Sequence, residues 1–156
     1  RHYIEWATSV PVIGAASCIR SWNGSNTVKV IVSDANYTTV SESLIKKVYE
    51  RIAEQNPINA IVTIVSATIK TINIEARVRG QPNADDFKQA VQKYFREIAR
   101  AGLGKGSYVS IAKIGALLLQ SGAAQDYDSL TLNGAAVNIS LTTEELPALG
   151  RVVLHG

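Results

Sequence analysis

Thr68-Ile69-Lys70-Thr71-Ile72-Asn73-Ile74-Glu75-Ala76-Arg77-Val78-Arg79 is the stretch that decides the fold class. Ile72, Ile74, Ala76 and Val78 alternate with Thr71, Asn73, Glu75, Arg77 and Arg79. A period of two sends successive side chains to opposite faces of an extended chain, so this is a strand with one buried and one solvated face. Gly80-Gln81-Pro82 breaks it. Asn83 then caps a helix whose first turn carries Asp85 and Asp86, favourable at the positive end of the helix dipole. Phe87, Ala90, Val91, Tyr94, Phe95 and Ile98 fall at helical spacing, and Gly102 is placed for a left-handed C-terminal cap.

Further along, a brief strand around Tyr108 precedes a short helix bearing Ile111, Ile114, Leu117 and Leu118. Residues 127–132 and 135–141 flank Asn133-Gly134, the pair that a type I′ hairpin turn favours. Thr142-Thr143-Glu144-Glu145 reads as a one-turn helical start, and Val152–Leu154 as a closing strand.

Upstream, Tyr3, Ile4, Trp6, Ala7 and Val10 recur at spacings of three and four, and Pro11 ends that helix. Ala15–Trp22 and Thr27–Ser33 read as strands joined by Asn23-Gly24-Ser25-Asn26, the second with one buried face and, from Ile31, the other partly covered. Ser41 is placed to cap a helix with Leu44, Ile45, Val48, Tyr49 and Ile52 on its apolar side, and Val40 and Ile45 form a hydrophobic staple. Asn56-Pro57 closes it, and the β-branched run Ala60–Ser66 predicts a mostly buried strand. The expected class is α+β: two small α/β sandwich subdomains of ferredoxin-like element order, helices packed on mostly antiparallel sheets, divided as residues 1–67 and 68–156.

Apolar residues form 46% of the 156 and charged residues 19%, enough for a packed core and unlike a disordered chain. Sixteen Lys and Arg against 13 Asp and Glu leave +3, too small an excess for a strong field toward nucleic acid. A single cysteine, Cys18, makes no internal disulfide, and no apolar run approaches the length of a membrane span. The chain starts Arg1-His2-Tyr3-Ile4 and has no methionine, which reads as a piece of a longer protein.

Candidate chemistry is sparse. Gly102-Leu103-Gly104-Lys105-Gly106-Ser107 resembles a phosphate cradle, but Gly106 separates the lysine from the hydroxyl, and the loop follows a helix where a phosphate loop follows a strand. His2 and His155 stand near the two ends, poor places to hold a preorganised base, so no nucleophilic pair with Cys18 is expected. Asp126 and Asp128 flank Tyr127 and would share a face, but two carboxylates are too few for a cation site; Asp85 with Asp86 belong to a helix start, and Glu144 with Glu145 are the remaining close pair. Lys46, Lys47, Arg51, Lys88, Lys93, Arg96, Arg100, Arg77 and Arg79 are scattered, and the open face of Thr71–Arg79 lacks the aromatics of an RNA-binding sheet. No catalytic, cofactor-binding or metal-binding residue is assigned.

Several segments, in order, resemble the baseplate J-like family, wedge proteins of contractile phage tails, defective prophage particles and R-type bacteriocins. His2-Tyr3-Ile4-Glu5-Trp6-Ala7 with residues 10–16 is similar to its "YxxWA…VPGVGxA" segment, and Trp22-Asn23-Gly24 with Thr27-Val28-Lys29-Val30 to its "NGxGTVKV" hairpin. Residues 57–67, Pro-Ile-Asn-Ala-Ile-Val-Thr-Ile-Val-Ser-Ala, resemble "PIGAxVTVVxA". Ile114-Gly115-Ala116-Leu117-Leu118, Asp126-Tyr127, Leu130–Gly134 and Glu145–Gly150 resemble its C-terminal signature. Val12-Ile13-Gly14 stands where the family has Gly-Val-Gly, and Asn59 where it prefers glycine.

The resemblance implies the C-terminal portion of a baseplate wedge protein with no enzymatic role. Its partners would be other wedge proteins and copies of itself, with no nucleic acid, membrane or small-molecule substrate. Its place would be the virion tail baseplate, made and assembled in the bacterial host cytoplasm. Tyr3 and Trp6 are expected to pack on this part of the chain. From a different class, a small-ligand or nucleic-acid binding module on a ferredoxin-like sandwich is the alternative.

Overall fold

A computed structural model describes residues 2–55, 60–80, 83–103 and 105–156. In chain order its elements are α1 (His2–Thr8), β1 (Ile13–Arg20), β2 (Thr27–Asp34), α2 (Glu42–Gln55), β3 (Ile61–Ser66), β4 (Thr68–Arg79), α3 (Ala84–Gly102), β5 (Tyr108–Val109), α4 (Ile111–Gln120), β6 (Asp126–Leu132), β7 (Ile139–Ser140) and β8 (Glu145–His155). The class is α+β, with helices beside three small sheets. The chain forms two units: one of Arg1–Ile69, Gly102–Gly106 and Thr142–Leu146, the other of Lys70–Ala101, Ser107–Leu141 and Pro147–Gly156.

In the first unit the sheet order is β1-β2-β3, with β1 antiparallel and β3 parallel to β2. The parallel pairing follows from the crossover through α2, which returns the chain to the end of the sheet where β2 began. The Leu44 N–H donates to Ser41 Oγ at 3.3 Å, as the sequence predicts for the cap. Val48 and Ile52 of α2, Tyr3, Ala7 and Val10 from α1 and its exit, and Val28, Val30 and Val32 of β2 build the core. Trp6 packs half-buried against it, edge-on to Tyr3 at 5.3 Å between ring centroids. So both N-terminal aromatics pack on this unit. Two expectations need correcting. Tyr49 stands 51% exposed, one position round the helix from Val48. No residue of β3 is fully buried, because it is an edge strand with no described strand on its outer side; Ile61 is 64% exposed.

β2 is buried on both faces, Ile31 and Ser33 as completely as Val30 and Val32. Lys29 lies on the Ile31 face, and its Nζ meets Glu144 Oε2 at 2.9 Å, which places the Thr142–Leu146 segment over that face.

In the second unit β4 is the central strand of the order β6-β4-β8. Its Ile72, Ile74, Ala76 and Val78 pack with Phe87, Val91, Phe95 and Ile98 of α3, Ile114 and Leu118 of α4, and Leu130 and Leu132 of β6. The Asp85 N–H donates to Asn83 Oδ1 at 3.3 Å, the expected cap. α3 continues through Gly102, so the helix does not stop where a left-handed glycine was expected; Gly106 carries the positive φ, 65°. Ser110 caps α4, accepting from the Lys113 N–H at 3.2 Å.

Asn133 and Gly134 have φ of 52° and 85°, both positive as a type I′ turn requires, and Leu132 and Ala135 exchange backbone bonds of 2.9 and 3.2 Å. The returning arm then leaves the ladder. Its only described strand, β7, pairs with β5, and β6 pairs with β4. Residues 142–145 form a tight turn and no helix: the Glu145 N–H donates to Thr142 O at 3.2 Å and the Thr142 N–H to Glu145 Oε1 at 2.8 Å. The closing strand is also longer than expected, running from Glu145 to His155. Pro147 is tolerated because β8 lies at the edge of its sheet, where a missing donor costs no ladder bond on the open side.

Candidate assembly surfaces

The outward side chains of β4, Thr71, Asn73, Glu75, Arg77 and Arg79, are all exposed. Register sets Arg77 opposite Asp128 and Arg79 opposite Asp126, so unlike charges face each other across the β4–β6 ladder. His155 Nε2 lies 2.7 Å from Glu75 Oε2, with both side chains more than half exposed, a geometry that contributes little to stability. Asn73 is the fixed point of this face. Its N–H donates to Asn133 Oδ1 at 2.7 Å, and its own Oδ1 accepts from the Arg151 N–H at 2.9 Å. Asn133 Nδ2 donates to Thr71 O at 3.1 Å, tying the hairpin turn to β4. Gly150 approaches so closely that a Cβ there would strike Asn73 Oδ1 and Thr71 Cγ2.

Three shallow depressions lie along the same face. Thr71, Asn73 and Arg151 line the first; Glu75, Arg77 and His155 the second; Arg79, Asp126 and Asp128 the third. They are open, and the first and third are mostly polar, a surface suited to contact with another polypeptide more than to enclosing a substrate.

On the first unit, Trp22 is 40% exposed with Lys29 Nζ 4.4 Å from its ring centroid. The same ammonium holds Glu144, so a cation–π contact and an ion pair share one partly buried charge. Nothing in the sequence signals the Lys29–Glu144 pair, whose partners are 115 residues apart.

The other candidates are dispersed. Cys18 is half-buried in β1 against the first core, and burial pushes its thiol pKa up, with the Arg20 charge opposing. A thiol so placed is a poor nucleophile. His2 stacks on Trp6 at 5.8 Å and lies 3.8 Å from Glu5. Asp85 and Asp86 are in the first turn of α3. In the glycine-rich loop, Gly104 is outside the described residues, and Ser107 O accepts from the Leu141 N–H at 2.8 Å. Lys46, Lys47, Lys88, Lys93, Arg96 and Arg100 are exposed, and Arg51 Nη1 donates to Ser9 Oγ at 2.9 Å. Among the described residues no three His, Cys, Asp or Glu gather to hold a metal ion, and no helix is long and apolar enough to cross a membrane.

Residues 1–66 match the model of the baseplate J-like central domain, and residues 72–155 that of the baseplate J-like protein C-terminal domain. This chain belongs to the baseplate J-like family. The first match ends with β3 and the second begins within β4. Among curated relatives, the phage-like element PBSX protein XkdT of Bacillus subtilis (strain 168) is 32% identical over 160 residues, covering 97% of this chain and 46% of the relative. The uncharacterized protein YqbT of the same strain gives the same identity and coverage. The chain therefore spans about half the length of the curated relatives it matches. In structure it is similar to a chain of the anti-feeding prophage baseplate, solved by cryo-EM with 6-fold symmetry applied. The TM-score is 0.63 at 15% identity, over 96% of this chain and 36% of the other, which shows a shared fold.

Proposed function

We propose that this chain is a structural part of a phage-like contractile tail baseplate, a wedge component that works by protein–protein contact and catalyses no reaction. The observation that carries the reading is the consecutive match to the central and C-terminal domains of one baseplate family across nearly the whole chain. The open β4 face, with Arg77 and Arg79 set opposite Asp128 and Asp126, supports it. Residues 1–67 and 68–156 are its two domains along the sequence, the first completed by the returning segments Gly102–Gly106 and Thr142–Leu146. Its partners are other wedge proteins and copies of itself, met in the bacterial host cytoplasm during assembly, with no nucleic acid or small-molecule substrate.

The test is to tag the full-length parent protein, induce its source cells and identify what co-purifies by mass spectrometry. Recovery of tube, sheath or other baseplate proteins is the expected result. Recovery of nucleic acid or a metabolite without tail proteins would overturn the reading and favour a ligand-binding module.

A further inference from the structure

Edge strands present a row of backbone donors and acceptors, and natural proteins guard them with charge, proline, bulges or brevity. The edges of the two larger sheets follow this rule with one exception. β1 carries Gly14, a register shift between Ile13 and Ala15, and Arg20; β6 carries Asp126, Asp128 and a bulge; β8 carries Pro147, Gly150 and Arg151. β3 reads Ile61-Val62-Thr63-Ile64-Val65-Ser66, with no charge, proline, glycine or register shift.

The parallel pairing fixes which backbone groups of β3 face outward. The Ile61 N–H donates to Asn26 O at 2.9 Å and the Ala67 N–H to Val32 O at 2.8 Å. Odd-numbered residues therefore turn their backbone groups toward β2. Those of Val62, Ile64 and Ser66 point away from the sheet, about 6.6 Å apart. No described strand pairs with them. The side chains divide likewise: Val62 and Ile64 pack against the first core, while Ile61 lies on the other face, 64% exposed.

We infer that the outer edge of β3 is a seam that takes an extended segment of a neighbouring baseplate protein as an added strand. The occupant is identified by two features. Alternating N–H and C=O groups at that repeat are satisfied only by another extended backbone. The uncharged, β-branched edge selects a partner strand of the same character, since a charge set against Val62 or Ile64 would be desolvated without a counter-ion. A second copy in solution is the less fitting occupant, because a six-residue strand pair alone is far below the ~1,200 Å² of buried surface that a stable free dimer needs, whereas a neighbour in a baseplate would be held by its other contacts as well. The inference rests on the baseplate reading given above.

The test compares backbone hydrogen exchange of the free full-length protein with that of the same protein in purified assembled particles. The amides of Val62, Ile64 and Ser66 should exchange fast in the free protein, and at least tenfold more slowly in particles. Those of Thr63 and Val65 should be protected in both. Val62→Pro removes an outward donor and no bond to β2, so it should leave the melting curve two-state and cut incorporation into particles at least tenfold. Thr63→Pro should unfold the unit. Particles containing tail proteins in which the three outward amides stay fast would overturn the seam and leave the baseplate reading standing, whether or not Val62→Pro folds. Failure to recover tail proteins would count against both. Protection of the three amides in the free protein, rising with concentration, would hand the seam to a second copy and overturn the choice of partner.

Discussion

Val12 has a φ of 78° and is 63% exposed. For a β-branched residue the left-handed region is a true outlier, costing about 1–3 kcal/mol that surrounding contacts must offset. This is the position at which the sequence departs from the glycine of the motif it resembles, so the backbone keeps the turn that glycine serves while the side chain does not suit it. Val12→Gly should remove the strain at the expense of about 0.5–1 kcal/mol of added unfolded-state entropy. With little apolar burial to lose, the net should be a gain near 1 kcal/mol, read as a rise of roughly 2–4 °C in Tm. An unchanged or lower Tm would mean that Val12 makes a compensating contact.

The elements that sequence alone made legible are those whose burial is set by their own pattern. β4 and α3 were readable because strict period two and a 3.6-residue stripe each leave one arrangement that buries the apolar set. β3 was legible as a strand and not as an edge, since an apolar run says nothing about which neighbours flank it. In β6, Tyr127 and Leu130 pack on one core at a spacing that no regular strand allows; Ser129, at φ 55°, supplies the extra residue of a bulge. β8 was obscured by Pro147 and Gly150, which read as breakers when their neighbours are unknown. Of the candidate surface, the polar face of β4 was legible, and the Trp22–Lys29–Glu144 contact was not, because it depends on a long-range return of the chain. The β8 reading carries a prediction. Gly150 permits close passage over Asn73, whose Oδ1 is already held by the Arg151 N–H. Gly150→Ala should therefore cost about 1–3 kcal/mol through overpacking. Part of that cost should vanish in an Asn73→Ala background, with the contact to Thr71 Cγ2 keeping the rest, a coupling that a double-mutant cycle in urea would measure.

At the scale of the molecule, neither unit is a single run of chain. The first draws in Gly102–Gly106 and Thr142–Leu146, from beyond the start of the second. The reason lies in β2. A central strand buried on both faces needs cover on the side away from α1 and α2, and the described residues among 1–69 hold no further helix to provide it. Leu103 and Leu146, 5% and 1% exposed, come with the two returning segments, and the Lys29–Glu144 bond sets the second of them over the Ile31 face. Leu146→Ala in the whole chain should then cost about 2–5 kcal/mol, the range for a buried leucine whose cavity cannot collapse. The loss should appear first as faster hydrogen exchange at the β2 and β3 amides, since those strands lose their cover, with α3 and β4 less affected. Residues 1–67 expressed alone would lack both returning leucines, leaving Ile31 open to water. That fragment should bind a hydrophobic dye and self-associate. If it gave a sharp two-state melt, and Leu146→Ala in the full chain left β2 exchange unchanged, the returning segments would be decoration on a unit already complete.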